Sequence, residues 1–99
     1  LRDYIIPDYA KIDGYYPCAI PNWDNTPRSG HSGMMFLGST PARFGQQLER
    51  ALGMLEARNE NDRFLFVKSW NEWGEGNYLE PDRRHGHAYL DALRSALTP

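Results

Sequence analysis

The sequence has one cysteine, Cys18, and it lacks a long apolar run and a basic cluster. A single cysteine forms no disulfide within the chain, which is typical of a reducing compartment, so we expect a cytoplasmic protein. Because no stretch of about 18 consecutive apolar residues is present, no membrane span is predicted. No basic segment precedes a short apolar one, so no signal peptide is expected.

Neither positive nor negative charge is clustered in any part of the sequence. The chain has 11 Lys and Arg residues and 13 Asp and Glu residues, and Arg83-Arg84 is the only adjacent basic pair. Nucleic-acid binding requires a clustered basic face, so no nucleic-acid partner is expected. The sequence also lacks an Asp-x-Asp pair and a phosphate-binding P-loop. His85 and His87 alternate as metal ligands can, but no third ligand is in register, so we expect exposed histidines, no metal site and no cofactor.

The composition that remains is that of a small globular domain. The chain has 99 residues, of which 40% are hydrophobic and 13% aromatic. Several aromatic residues lie in polar stretches, where a ring can stack on the apolar face of a sugar while carboxylates and amides bind its hydroxyls. Packing in the core is the commoner role of an aromatic residue.

Hydrophobic periodicity predicts four elements in the order strand, helix, strand, helix, over about 16–21, 41–58, 63–69 and 86–97. Thr40-Pro41 is a strong helix start, with Thr40 as the N-cap. In this helix the polar residues are expected to lie mainly on the exposed face: Gln46, Gln47, Glu49 and Arg50. The run Phe64-Leu65-Phe66-Val67 predicts a parallel strand that is buried on both faces.

This order predicts an α/β fold, a βαβα unit with a right-handed crossover. Ligands of such folds bind at the carboxyl ends of the strands, in the loops that lead into the helices. Two unusual loops, 22–39 and 70–82, occupy that position. The first shows no helical or strand period, and a long irregular connection is more often functional than idle. We expect the two loops to lie side by side.

The second loop carries paired carboxylates, Glu72 and Glu75, among Trp70, Asn71 and Trp73. Chemistry at a glycosidic bond requires one protonated carboxyl group and one charged carboxylate. Asn71 can bind a sugar hydroxyl, and the indole rings can stack on a sugar. A polar surface turn with tryptophan anchors explains the same residues equally well, so the segment alone leaves both interpretations open.

The first loop carries a second set of polar and aromatic residues. Asp24 and Asn25 can bind vicinal hydroxyls, Trp23 can stack on a sugar, and Arg28 can pair with a carboxylate or hold Asp24. The same residues form a good turn sequence, in which Asx side chains bond to the local backbone, and the residues alone favour the turn.

Two acidic residues follow the carboxylate pair. Asp82 is expected to cap the last helix. Glu80 is expected to support the site or to form a salt bridge with Arg83 or Arg84.

At these residues the sequence resembles the WbsX-type proteins, a family labelled as glycosyltransferases of lipopolysaccharide O-antigen and other cell-surface polysaccharide assembly. Residues 69–82, followed by Gly86 and Tyr89-Leu90, resemble the C-terminal signature of that family. Residues 21–28 and 38–41 resemble its preceding motifs, in the same order. The resemblance extends from about Tyr16 to Leu97.

The resemblance implies a fold and a chemistry. WbsX-type domains are similar to the endo-α-mannosidase group of glycoside hydrolases, which are (β/α)8 TIM-type barrels, so the chain would be the C-terminal βαβα portion of a barrel. By that similarity Glu72 would deprotonate the 2-hydroxyl of the substrate and Glu75 would be the general acid/base. The substrate would be an oligosaccharide or polysaccharide. A transferase would also use a sugar nucleotide as donor.

The length of the chain limits this implication. A barrel of this kind has several hundred residues, so we expect residues 1–99 to be the C-terminal fragment of a longer protein or a truncated gene product. Two strands cannot close a barrel, and exposed strand edges would favour self-association. Hydrolysis of the endo-α-mannosidase type and a non-catalytic carbohydrate-binding remnant remain as alternatives to transfer, as does a module in which the motif is only a turn.

Overall fold

A computed structural model describes residues 14–98. Its helices and strands, in chain order, are β1 (Cys18–Ala19), α1 (Thr26–Ser29), α2 (Pro41–Leu55), β2 (Phe66–Val67), β3 (Asn71–Glu72), β4 (Asn77–Tyr78) and α3 (Ala88–Leu97). Strands β1 and β2 pair in parallel, with Cys18 opposite Phe66 and Ala19 opposite Val67. Helix α2 connects these two strands, which are shorter than predicted, and the structure adds α1, β3 and β4 to the four elements that the sequence predicted.

Helix α2 begins where the sequence predicts. The Thr40 hydroxyl accepts a hydrogen bond from the Arg43 backbone N–H at 3.1 Å, and Pro41 follows in the first turn. Thr40 therefore satisfies one of the amide groups that lack a partner at a helix start. The helix ends at Leu55, before the expected end near residue 58, and a short 3-10 turn at Glu60–Asp62 leads to β2.

The sequence predicts that Gln47 lies on the exposed face of α2, but the structure shows it buried. It is 5% exposed, and its amide faces the end of β1. Its Oε1 accepts from the Ile20 backbone N–H at 2.5 Å and its Nε2 donates to the Ile20 carbonyl at 3.0 Å. The side chain thus pairs with the backbone of Ile20 as a neighbouring strand would. Helical periodicity separates only apolar from polar residues, so it cannot show that a polar side chain has a buried partner.

The core lies where α2 and α3 pack against one face of the parallel pair. Its buried side chains are Ala19, Phe44, Leu48, Leu79 and Tyr89. The Phe44 and Tyr89 rings join the two helices, with their centroids 5.8 Å apart. Within residues 14–98, no helix combines the length and apolar character needed to cross a membrane.

Within residues 14–98 the opposite face of the parallel pair is open, so for this part of the chain the expectation of a strand buried on both faces is wrong. Phe64 and Phe66 are 53% and 58% exposed, whereas the alternate residues Leu65 and Val67 face the core. The Tyr16 ring lies edge-on to both phenylalanines, at centroid distances of 5.6 and 6.5 Å. The apolar run is open because the described residues supply helices for one face only.

The start and the middle of α2 predict opposite changes in stability. Thr40→Ala removes the capping bond and is expected to lower the free energy of unfolding by about 1 kcal/mol. Gly53→Ala places a methyl group in open space on the exposed side of the helix and is expected to raise it by about 0.5–1 kcal/mol. Urea unfolding followed by circular dichroism measures both changes, and a shift of both midpoints in the same direction would contradict this account.

Candidate functional site

The second loop is a β-hairpin. Strands β3 and β4 pair antiparallel, with Asn71 opposite Tyr78 and Glu72 opposite Asn77. A 3-10 turn at Trp73–Glu75 forms the tip, and Gly76 closes it with φ +56°. The hairpin was not predicted from the sequence, because its strands are two residues long and show no alternation of polar and apolar residues. The one residue that could have indicated the hairpin is Gly76, directly after the turn, because the chain there needs the left-handed backbone that glycine adopts easily.

The hairpin is hydrogen-bonded to the first loop, which confirms that the two loops lie side by side. The Asp24 backbone N–H donates to the Glu75 carbonyl at 2.8 Å, and the Tyr78 N–H donates to Asn22 Oδ1 at 2.9 Å. Gly76 lies so close to the first loop that a Cβ there would be 2.7 Å from the Asp24 carbonyl oxygen. The backbone of the Glu75 turn is therefore fixed to the residues after β1.

Asn77, the first residue of β4, is a fully buried polar residue. Its Nδ2 donates to the Asn22 carbonyl at 2.7 Å and to the Lys68 carbonyl at 3.3 Å. Its Oδ1 accepts from Lys68 Nζ at 3.1 Å and from Ser69 Oγ at 3.2 Å. The role of Asn77 was not predicted from the sequence, because a lone asparagine in a polar loop carries no spacing signal.

The two glutamates have different surroundings. Glu75 is partly buried, and its carboxylate lies 3.3 Å from Lys68 Nζ. Glu72 is exposed on β3, and its side chain makes no hydrogen bond with the part of the chain that the structure describes. The pair therefore consists of one anchored carboxylate and one that is open to solvent.

Trp73 and Tyr78 form an aromatic platform beside the hairpin tip. Their rings stack with centroids 3.8 Å apart and an angle of 17° between the planes. Trp73 Nε1 donates to Glu80 at 2.8 Å, and the Tyr78 hydroxyl donates to Asp82 at 2.6 Å. Glu80 thus supports the tryptophan rather than forming a salt bridge with Arg83 or Arg84.

The aromatic platform borders a cleft of about 490 Å³ between the two loops. Three of the predicted site residues line it, Trp23, Asp24 and Trp73, together with residues that the sequence did not assign to ligand binding: Tyr78, Arg84 and His85. The other predicted site residues are not among its described lining: Asn25, Arg28, Trp70, Asn71, Glu72 and Glu75. The structure therefore brings Trp23, Trp73 and Tyr78 into one cleft, and the carboxylate pair lies outside the described lining.

Residues 24–28 form the local turn that the sequence favoured. Asp24 Oδ1 accepts from the Thr26 backbone N–H at 3.0 Å and from the Thr26 hydroxyl at 2.5 Å, and these bonds lower the pKa of Asp24. Asn25 Oδ1 accepts from the Met34 N–H at 2.7 Å. Arg28 does not hold Asp24; its guanidinium lies over Gly74, where a Cβ would overlap it. The Asp24 carboxylate is bound by the nearby Thr26 hydroxyl, and not by the Arg28 guanidinium as the sequence had suggested.

Asp82 does not cap the last helix. Helix α3 begins at Ala88 with His87 as its N-cap, and Asp82 Oδ1 instead accepts from the His85 N–H at 2.6 Å in the preceding turn. Burial raises the pKa of Asp82, but the hydrogen bonds from Tyr78 and His85 and the nearby positive charges outweigh burial, so the pKa is lowered. The Asp82 carboxylate therefore stabilises the turn and the Tyr78 hydroxyl.

His85 and His87 differ in exposure. His85 is half-buried, with its ring edge-on to Tyr89 at a centroid distance of 5.4 Å, so the expectation that it is exposed is wrong, while His87 is exposed. Within residues 14–98, no group of three or more His, Cys, Asp or Glu side chains is placed to hold a metal ion.

The bond between Tyr78 and Asp82 predicts a measurable titration. Burial first, and then the Asp82 carboxylate, raises the pKa of Tyr78 to about 12. Asp82→Asn is expected to lower that pKa only part of the way towards about 10, because burial remains. Since the folded value exceeds the unfolded value, the stabilising contribution is present below about pH 10 and is lost as the pH rises to about 12.

Tyrosine Cζ chemical shifts, followed by NMR over the alkaline range, measure this change. Asp91→Asn is the control, because Asp91 is an exposed acid paired with Arg94 on α3. An unchanged Tyr78 midpoint in Asp82→Asn would contradict the role given to Asp82.

Polar and aromatic side chains in the loops after two parallel strands are typical of the ligand-binding edge of an α/β protein. The chain belongs to the family described as Glycosyltransferase WbsX, whose model matches residues 1–93. This membership confirms the resemblance found in the sequence.

The chain is similar to two curated relatives, each described as "Uncharacterized protein WxcX", from two strains of Xanthomonas campestris pv. campestris. Each is 41% identical over 99 residues, which cover 99% of this chain and 13% of the relative. The chain thus spans about an eighth of the length of these relatives. No solved structure matches it significantly.

Proposed function

We propose that the chain supplies the carboxylate-bearing edge of a WbsX-type glycosyltransferase active site. The observation that carries the proposal is a hydrogen bond between the two loops, which the Asp24 backbone N–H donates to the Glu75 carbonyl. This bond holds the carboxylate pair and the cleft on adjoining parts of one edge. The family membership supports glycosyl transfer as the class of reaction.

The chemistry proposed for this edge uses each kind of side chain differently. The stacked rings of Trp73 and Tyr78 offer an apolar surface for a sugar ring at the border of the cleft. Glu75 and Glu72 supply the carboxylates that a reaction at the anomeric carbon requires. In a transferase, the donor is a sugar nucleotide and the acceptor is a growing glycan.

The process that we propose is the assembly of a cell-surface polysaccharide, such as a lipopolysaccharide O-antigen. It is supported by the family resemblance of residues 69–82 and not by any contact in the cleft. The (β/α)8 barrel is likewise a proposal. It is supported by the parallel pairing of β1 and β2 across a helical connection and by the open face at Phe64 and Phe66.

Hydrolysis of the endo-α-mannosidase type is the second candidate. The observation that favours it is the position of Glu72 and Glu75 on one hairpin, three positions apart, which suits paired acid and base chemistry. A carbohydrate-binding remnant is the third candidate. It is favoured by the absence of both glutamates from the described lining of the cleft.

One assay on the full-length protein that carries this segment separates the three. The protein is incubated with sugar nucleotides plus a glycan acceptor and, separately, with α-mannosides. Nucleotide release that depends on the acceptor is the expected result. Cleavage of the mannosides without nucleotide release would replace transfer by hydrolysis. Binding of oligosaccharide without either reaction would support the remnant.

A further inference from the structure

Lys68 is the one cation in direct contact with the glutamate pair among the described residues. It follows β2, and its backbone N–H donates to the Ala19 carbonyl at 3.0 Å, so the parallel pairing extends to this residue. Its carbonyl accepts from Asn77 Nδ2 at 3.3 Å. The backbone from which the lysine side chain extends is therefore fixed on both sides.

The ammonium group of Lys68 has three neighbours. It lies 3.3 Å from Glu75 Oε2, 3.1 Å from Asn77 Oδ1 and 5.1 Å from the centroid of the Trp23 ring. A carboxylate, an amide oxygen and an aromatic face all attract a cation, so their positions together define one location for Nζ. Lys68 therefore joins Glu75 of the hairpin to Trp23 of the first loop.

Asn77 fixes the direction of this contact because its amide fits in one orientation only. Its Nδ2 faces two carbonyl oxygens, and its Oδ1 faces the ammonium of Lys68 and the hydroxyl of Ser69. A rotation of the amide by 180° would place a donor against the ammonium and an acceptor against the carbonyls. A buried, fully bonded group of this kind is a rigid support.

We propose that Lys68, oriented by Asn77, is the positioning residue of Glu75, holding its carboxylate in one rotamer on the active-site edge. The inference rests on the proposed function of Glu75 and deepens it. Glu72 has no such contact within the described residues, so the two glutamates are not equivalent.

The first test measures the order of the Glu75 side chain in the chain itself. In Lys68→Met, NMR relaxation of the Glu75 methylene carbons is expected to show a clear loss of order, while the Tyr78 amide remains protected because its bond to Asn22 is intact. Lys68→Arg is expected to restore the order in part. Arg94→Met, which breaks an exposed ion pair on α3, is the matched control and should leave Glu75 unchanged.

The second test measures turnover in the full-length protein. Lys68→Met is expected to lower kcat about tenfold to a hundredfold with little change in KM, because the carboxylate is misplaced but the cleft is kept. Unchanged order of Glu75 together with unchanged kcat would overturn the positioning role. A different outcome is that Glu75 loses order in Lys68→Met while the wild-type full-length protein turns over no substrate. That outcome would overturn the proposed function and leave the positioning role intact.

Discussion

Replacing Glu75 with glutamine in the full-length protein is expected to lower turnover by about 10²- to 10⁴-fold. Glutamine has nearly the same shape as glutamate but neither carries a negative charge nor transfers a proton. The hydrogen bond from Lys68 to the side-chain oxygen can still form, so the side chain is expected to stay in place. Glu72→Gln is expected to have an effect of similar size, because reactions at a glycosidic bond use both carboxyl groups.

The loss of turnover must be distinguished from unfolding. The ion pair with Lys68 is partly exposed, and pairs of that kind contribute at most about 1 kcal/mol, so thermal unfolding should change little. Glu49→Gln, an exposed glutamate on α2 outside the site, is the matched control and should retain full turnover. Unchanged turnover in both hairpin variants would reject the catalytic assignment and favour a carbohydrate-binding remnant.

The parts of the structure that the sequence predicted well are those with local causes. The start of α2 depends on Thr40 and Pro41, whose effect on a helix start does not depend on the rest of the chain. The turn at Asp24 depends on the backbone N–H and the hydroxyl of Thr26, two positions away, which both donate to the Asp24 carboxylate. The side-by-side position of the two loops followed from a general property of parallel strands, whose carboxyl ends share one edge.

The parts that the sequence could not predict depend on partners distant in the chain. Gln47 is buried because it meets the backbone of Ile20, which lies 27 residues earlier. Asn77 is buried because Asn22 approaches it from the first loop. A periodicity argument treats both as exposed polar residues, since it has no information on which backbone groups lack a partner.

The open face of the parallel pair is a third case. The run from Phe64 to Val67 has the composition of a strand covered on both sides, yet its two phenylalanines are exposed. The composition agrees with the structure if further chain covers that face, which the length of the relatives allows.

Asn77→Ala is expected to be the most destabilising substitution in the hairpin, at about 2–4 kcal/mol. The alanine leaves the carbonyl groups of Asn22 and Lys68 without the Nδ2 donor. A buried polar group without its partner costs about 1–3 kcal/mol. Lys68 Nζ and Ser69 Oγ lose an acceptor as well, but Lys68 is partly exposed and can bind water instead. Urea unfolding followed by tryptophan fluorescence measures the change.

Asn71→Ala is the matched control for this substitution, because Asn71 lies on the partner strand of the same hairpin with an exposed side chain. A surface change of that kind is expected to alter the free energy of unfolding by no more than about 0.5 kcal/mol. Equal effects of the two substitutions would mean that Asn77 does not support the hairpin. The larger expected loss for Asn77→Ala follows from its position, since its amide joins β4, the end of β2 and the first loop, and the same contacts orient Lys68 towards Glu75.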